Sequence, residues 1–258
     1  MLKRLFRAVY EQLEREGYFQ QALGYYCVDA RQIHGACGAD VGAFFLRRLR
    51  KGDLWPIEER LAEYREDDLF DVIELLFDLV SCPDKGYHHT FSDCGWHYDT
   101  FDRRRGQERL RAEINDLLAD YQDGWELSRR GEILARGKTG LRELFTTELP
   151  KSVDRTNVKA RVEHSVLQFR RRGSSLDDRR QAVRELADVL EFLRPQLKQV
   201  MTKRDEGDLF NIANNFGLRH HNDRQQTDYD HAIWQSWMFH FYLATIHMAT
   251  RRLAGRDE

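Results

Sequence analysis

The stretch Asp208-Leu-Phe-Asn-Ile-Ala-Asn-Asn-Phe-Gly-Leu-Arg-His-His-Asn222 decides how this chain folds, together with Thr227-Asp-Tyr-Asp230 and an aromatic-rich run ending Tyr242-Leu-Ala-Thr-Ile-His247. It predicts one helix closing at Arg219–Asn222 and another opening about eight residues later, capped by Asp228 or Asp230. The second helix, over about 230–253, carries Trp234, Trp237, Met238, Phe241, Tyr242, Thr245, Ile246 and Ala249 at three- and four-residue spacing, the pattern of a packed stripe. The turn between the helices gathers a guanidinium, two imidazoles and an amide. Arginine stabilises phosphate charge, and histidine is suited to proton transfer near neutral pH. Arg219, His220, His221 and Asn222 are therefore expected to form an acid–base site able to cut RNA.

Working outward, the C-terminal half reads as a helical bundle. One helix is expected over about 155–172 with Val158, Val162, Val166 and Phe169 inward. Ser175, with Asp178 three residues on, opens another that runs to about 204, and Pro195 should kink it or leave a carbonyl unpaired. A short helix follows over 208–216. Gly137, Gly140 and Pro150 mark 135–155 as a linker, dividing the chain into 1–150 and 151–258. In the first part, periodicity predicts helices over 2–16, 38–50, 58–80 and 107–121. Asp67, Asp71, Glu74 and Asp78 line one side of the third and read as a solvated face. Ser81-Cys-Pro-Asp-Lys-Gly86 breaks it, and a loop is expected to about 105. Trp125–Leu134 reads as a short hairpin around Gly131. The expected fold class is mainly α: a helical domain with a short β-hairpin, then a helical bundle.

Composition bounds the partners. The 258 residues are 41% hydrophobic and 33% charged, with a net charge of -2. That balance hides 22 Lys+Arg against 28 Asp+Glu in residues 1–150, and 19 against 15 in residues 151–258. The basic half is the one expected to meet nucleic acid. Four cysteines are too few for a disulfide scaffold in a chain this long. Leu2, Leu5, Phe6, Val9 and Tyr10 are interleaved with charges, unlike a signal peptide, and no segment has the apolar length of a membrane span. A cytoplasmic protein with reduced thiols and no membrane partner is expected. P-loop, dinucleotide-turn and Ser/His/Asp patterns are absent from the sequence.

Three other groups carry chemistry. Cys82, His88, His89, Cys94 and His97 are zinc-type donors, but their spacing matches no standard finger. The first reading is therefore a loop packed by Tyr87, Trp96 and Tyr98, with no metal and no cofactor. Arg170, Arg171 and Arg224 are expected phosphate contacts, with Arg172, Arg179 and Arg180 nearby; a solvated helix end is the competing reading. His240 and His247 lie on the apolar last helix and read as satisfied core or interface histidines rather than catalysts.

The segment Asp208–His247 resembles the C-terminal domain of AbiJ-like abortive-infection proteins, through Arg219-His220-His221-Asn222, Asp228-Tyr229-Asp230, Trp237-Met238-Phe239 and Tyr242–His247. That domain is similar to the HEPN superfamily of helical bundles. Val72-Ile-Glu-Leu-Leu-Phe-Asp-Leu-Val-Ser81, Cys94-Gly-Trp-His-Tyr98, Glu113-Ile-Asn115 and the Trp125–Leu134 hairpin resemble a domain found in front of it. The resemblance implies a phage-defence or toxin-type ribonuclease, metal-independent, acting on RNA as a homodimer, with a partner protein from a defence system. The sequence departs from the family in one respect. Catalytic HEPN domains usually show Arg, then four to six residues, then His, whereas Arg224, Gln225 and Gln226 stand at the corresponding positions after Arg219. Only Arg224 with His231 fits that spacing. Either Arg219-His220-His221 is a compressed site, or the bundle is a catalytically inactive dimerisation, docking or sensor module. A nucleotide-binding regulator is a third reading.

Overall fold

The structure is a computed structural model and describes residues 1–122, 124–137, 140–199, 201–215 and 230–255. The chain forms two compact units, Met1–Ala135 and Arg136–Glu258. The division falls at the start of the glycine-containing 135–155 stretch.

The first unit is built on α1 (Leu2–Arg15), α5 (Glu66–Leu79) and α6 (Arg103–Leu118). Phe6, Tyr10 and Leu13 recur on one face of α1 and meet Leu69, Phe70, Ile73, Leu76 and Phe77 of α5 and Leu110, Ile114 and Leu118 of α6 in one core. Shorter pieces surround it: α2 (Gln20–Leu23), β1 (Gly24–Cys27), β2 (Arg31–His34), α3 (Val41–Leu49) and α4 (Ile57–Arg60). The expected 58–80 helix is two helices, α4 and α5. Asp68 causes the restart: its carboxylate accepts the Arg65 backbone N–H at 2.9 Å, capping α5 at Arg65.

The acidic row of α5 is tied rather than merely solvated. Asp71 pairs with Lys51 at 2.5 Å, and Asp78 pairs with Arg48 at 3.0 Å. Glu74 accepts the Ile133 N–H at 2.7 Å. That last bond holds the expected hairpin, here β5 (Trp125–Leu127) paired with β6 (Ile133–Ala135). Asn115 of α6 clamps its other strand, donating to the Leu127 carbonyl at 3.1 Å and accepting the Leu127 N–H at 2.6 Å.

The expected loop after Ser81 is instead an antiparallel pair, β3 (Cys82–His89) and β4 (Gly95–Asp102). Pro83 and Gly86 do not break it, because a bulge between Pro83 and Gly86 absorbs both. Gly86 is required there, since a Cβ would stand 2.2 Å from the His97 carbonyl oxygen. Asp102 then accepts the Arg105 N–H at 3.0 Å and starts α6 directly.

The second unit is all helical among the described residues: α7 (Glu143–Thr146), α8 (Ala160–Arg170), α9 (Leu176–Leu197), α10 (Lys203–Asn215) and α11 (His231–Ala254). A π turn at Arg155–Lys159, capped by Asp154, leads into α8. Ser175 and Asp178 form the expected capping box of α9, and Pro195 sits in its last turn, within a helix that continues only to Leu197. Asp230 caps α11 by accepting the Ala232 and Ile233 N–H groups.

The stripe on α11 lies differently from expectation. Met238, Tyr242, Thr245, Ile246 and Ala249 are buried, but so are Phe239, Leu243, His247 and Thr250, while Trp237 is 43% exposed. The helix is apolar almost all round, so spacing alone could not choose its inward face. Phe239 stacks on Phe169 of α8 with ring centroids 3.9 Å apart, which fixes the choice.

Candidate functional site

Arg219, His220, His221, Asn222 and Arg224 lie outside the described residues. In the chain they connect α10 to α11. His231, the partner proposed for Arg224 by spacing, is exposed in the first turn of α11.

Arg170 does not stand where a phosphate contact was expected. It is buried to 6% exposure, with its guanidinium 4.7 Å from the centroid of the Phe145 ring. It packs there as a cation over an aromatic face. Arg171, one residue on, is exposed at the end of α8. Arg179 extends over Phe169, 5.7 Å from its centroid. His247 is buried, with Nε2 3.2 Å from the Leu144 carbonyl oxygen, and burial holds its imidazole below the usual histidine range. His240 Nδ1 lies 2.7 Å from the Ser236 carbonyl oxygen. Each ring therefore makes one structural bond, while among the described residues His240 Nε2 and His247 Nδ1 are buried without a partner, so neither histidine is fully satisfied as expected.

The first unit brings together a group that the sequence resolved only in part. Cys27, His89, Cys94 and His97 present one donor atom each, and these atoms all lie within 4.8 Å of one another. Cys94 Sγ is 3.2 Å from His97 Nε2, and Cys27 Sγ is 3.8 Å from His89 Nδ1. Cys27 ends β1, His89 ends β3, Cys94 occupies the turn, and His97 points inward from β4. Gly95, at φ +95°, makes the turn between the last two donors.

Of the five donors noticed in sequence, Cys82 and His88 fall elsewhere. Cys82 is at the far end of β3, with Sγ 3.5 Å from the Tyr18 hydroxyl. His88 neighbours His89 on a strand, so its ring faces the other way and meets Trp96 edge-on at 5.5 Å. Cys27 was missed. It precedes His89 by 62 residues, so no local spacing connects them. The one available signal was Gly24-Tyr-Tyr-Cys27, a strand-like run ending in cysteine.

The surroundings prepare these atoms. The Ala30 backbone N–H is the largest influence on the Cys27 thiol and lowers its pKa; burial opposes it, and the Asp29 N–H adds to the lowering. Burial, then the neighbouring His89, holds His97 below the usual histidine range. Tyr25 packs on the His97 ring with centroids 4.5 Å apart.

Compared with protein-family models, with curated proteins and with solved structures, the chain finds no match.

Proposed function

We propose that the chain is an RNA-cutting protein of the HEPN kind, acting from the segment that holds Arg219, His220, His221 and Asn222. The observation supporting this reading is the placement of that segment between two helices, α10 and α11, the second capped by Asp230 and packed on α9. One imidazole removes the proton of a ribose 2′-hydroxyl, and the resulting oxygen attacks the adjacent phosphorus. The second imidazole protonates the departing 5′-oxygen, leaving a 2′,3′-cyclic phosphate. Arg219 stabilises charge on the non-bridging oxygens. Two copies related by a two-fold axis would supply two such sets of residues to one cleft. Among the described residues no helix is long and apolar enough to cross a membrane.

The test is purified protein, with its trigger, incubated with a mixed RNA pool and scored for cyclic-phosphate ends. Arg219→Ala and His221→Ala should each lower the rate on the order of a hundredfold or more. Unchanged cleavage in both variants moves the site to Arg224 and His231. The second reading is a non-catalytic dimerisation or docking module. It is favoured by the apolar edge of α11, where Ile233 is 66% and Trp237 43% exposed. Absence of cleavage by the triggered wild type selects it.

A further inference from the structure

We propose that Cys27, His89, Cys94 and His97 bind a single zinc ion that fastens the β1–β2 hairpin to the β3–β4 hairpin. The inference is independent of RNA cleavage and concerns the other unit of the chain.

The first argument is metrical. Zinc sits about 2.3 Å from thiolate sulfur and about 2.0–2.1 Å from imidazole nitrogen, so a sulfur–nitrogen edge of its tetrahedron is about 3.5 Å. The Cys94–His97 and Cys27–His89 separations, 3.2 and 3.8 Å, fall on either side of that length.

The second argument is the orientation of the two rings. A metal-bound imidazole gives one nitrogen to the ion and donates the other N–H to an oxygen, which fixes its tautomer. His89 directs Nδ1 at the cluster and places Nε2 3.2 Å from an Asp29 carboxylate oxygen. His97 does the reverse: Nε2 faces Cys94, and Nδ1 lies 3.1 Å from the Tyr87 hydroxyl. Each ring thus has an outward partner on the nitrogen that zinc would leave free. A pair of cysteines meeting only to form a disulfide requires neither imidazole.

The third argument is the weakness of the local core. Both hairpins are two-stranded sheets, which are marginal by themselves in water. Large side chains on them face out: Tyr26 is 63% exposed, Tyr87 56%, Phe91 64% and Trp96 51%. Apolar burial therefore contributes little here, and metal ligation is a common substitute where a core is thin. Two thiolates and two imidazoles suit zinc and complete its four-coordinate shell, leaving no open position for water. The ion would thus be structural.

The experiment uses the full chain purified without chelator. Elemental analysis should find about one zinc per chain. After stripping, cobalt(II) should restore the visible bands of a tetrahedral site and a thiolate-to-cobalt charge-transfer band. Cys94→Ser combined with His89→Gln should abolish both signals, while Cys82→Ser should keep them. Asp29→Ala tests the orientation argument without disturbing a buried residue, since the Asp29 side chain is 66% exposed. It should weaken metal affinity by about ten- to a hundredfold. Wild type that takes up neither metal overturns the proposal, as does a double variant that retains the cobalt bands. Iron in place of zinc, or Cys27 and Cys94 joined in a disulfide, overturns it equally.

Discussion

Gly106→Ala tests whether α6 lies against the backbone entering β3. Inside a helix, alanine is normally better than glycine by about 1 kcal/mol, because glycine loses more backbone freedom on folding. At Gly106 the structure opposes that gain. A Cβ there would stand 2.6 Å from Ser81 Cα, 2.7 Å from Cys82 N and 2.8 Å from the Ser81 carbonyl carbon. Ordinary van der Waals contact starts near 3.4 Å, so α6 or the strand must retreat by up to roughly 0.8 Å. All three atoms are backbone and cannot rotate aside. Overpacking of this sort costs about 1–3 kcal/mol, and the upper end applies, leaving a net loss of about 2 kcal/mol. For a unit of this size that corresponds to a fall in Tm of several degrees. Gly207→Ala in α10 is the matched control: among the described residues nothing lies within 4 Å of a Cβ there, so it should stabilise by up to about 1 kcal/mol. Calorimetry on the two variants should therefore show shifts of opposite sign. If Gly106→Ala raises Tm as Gly207→Ala does, α6 does not make that backbone contact.

Two further outcomes concern pH. Burial pushes the Asp68 carboxyl up, but Lys51 at 2.9 Å and the Arg65 backbone N–H outweigh it and hold the pKa down to about 2. Its folded value lies below its unfolded one, so it contributes about 2 kcal/mol above pH 4. That contribution is lost as pH falls through 2. Asp68→Asn should cost this much in urea unfolding at pH 7, and the gap should close toward pH 2. His247 has the same sign for a different reason. Burial holds its imidazole below the ordinary histidine range, with Arg251 adding to the lowering, and its buried Nδ1 has no partner. The unfolded chain takes up a proton that the folded one refuses, so stability should fall from pH 7 to pH 5. His247→Gln should flatten that slope, and an unchanged slope would assign it to another group.

Helical parts of the fold were legible wherever one face is apolar and the other charged. The α1 face, the α9 capping box and the Asp230 cap follow from spacing and residue type. Legibility fails in two physical situations. On α11 apolar residues are spread round the helix rather than gathered on one side, so its inward face depends on what Phe169 presents across the bundle. In Cys82–Asp102, proline and glycine signal a break unless a partner strand absorbs them in a bulge, and the partner is not visible locally. The four-donor cluster fails for the same reason as the strands that carry it. His89, Cys94 and His97 were visible as donors, but Cys27 joins them only through tertiary structure. Arg170 shows the opposite error: its neighbours in sequence suggested a basic surface, and Phe145 draws it inside.

The 62 residues separating Cys27 from His89 set an order of events during synthesis. At about 5–20 residues per second, a ribosome takes roughly 3–12 s to proceed from one to the other. His89, Cys94 and His97 meet as soon as a single hairpin closes, whereas Cys27 has to wait for it. Through that interval the nascent chain carries Cys27 beside Tyr25 and Tyr26 without the imidazoles that the fold places against its thiol. Hydrophobic collapse, at up to about 100 μs for a chain of this size, is far faster than the wait. Translation speed between codons 27 and 97, rather than the rate of any folding step, therefore governs how long that thiol stays open to oxidants and stray metal ions.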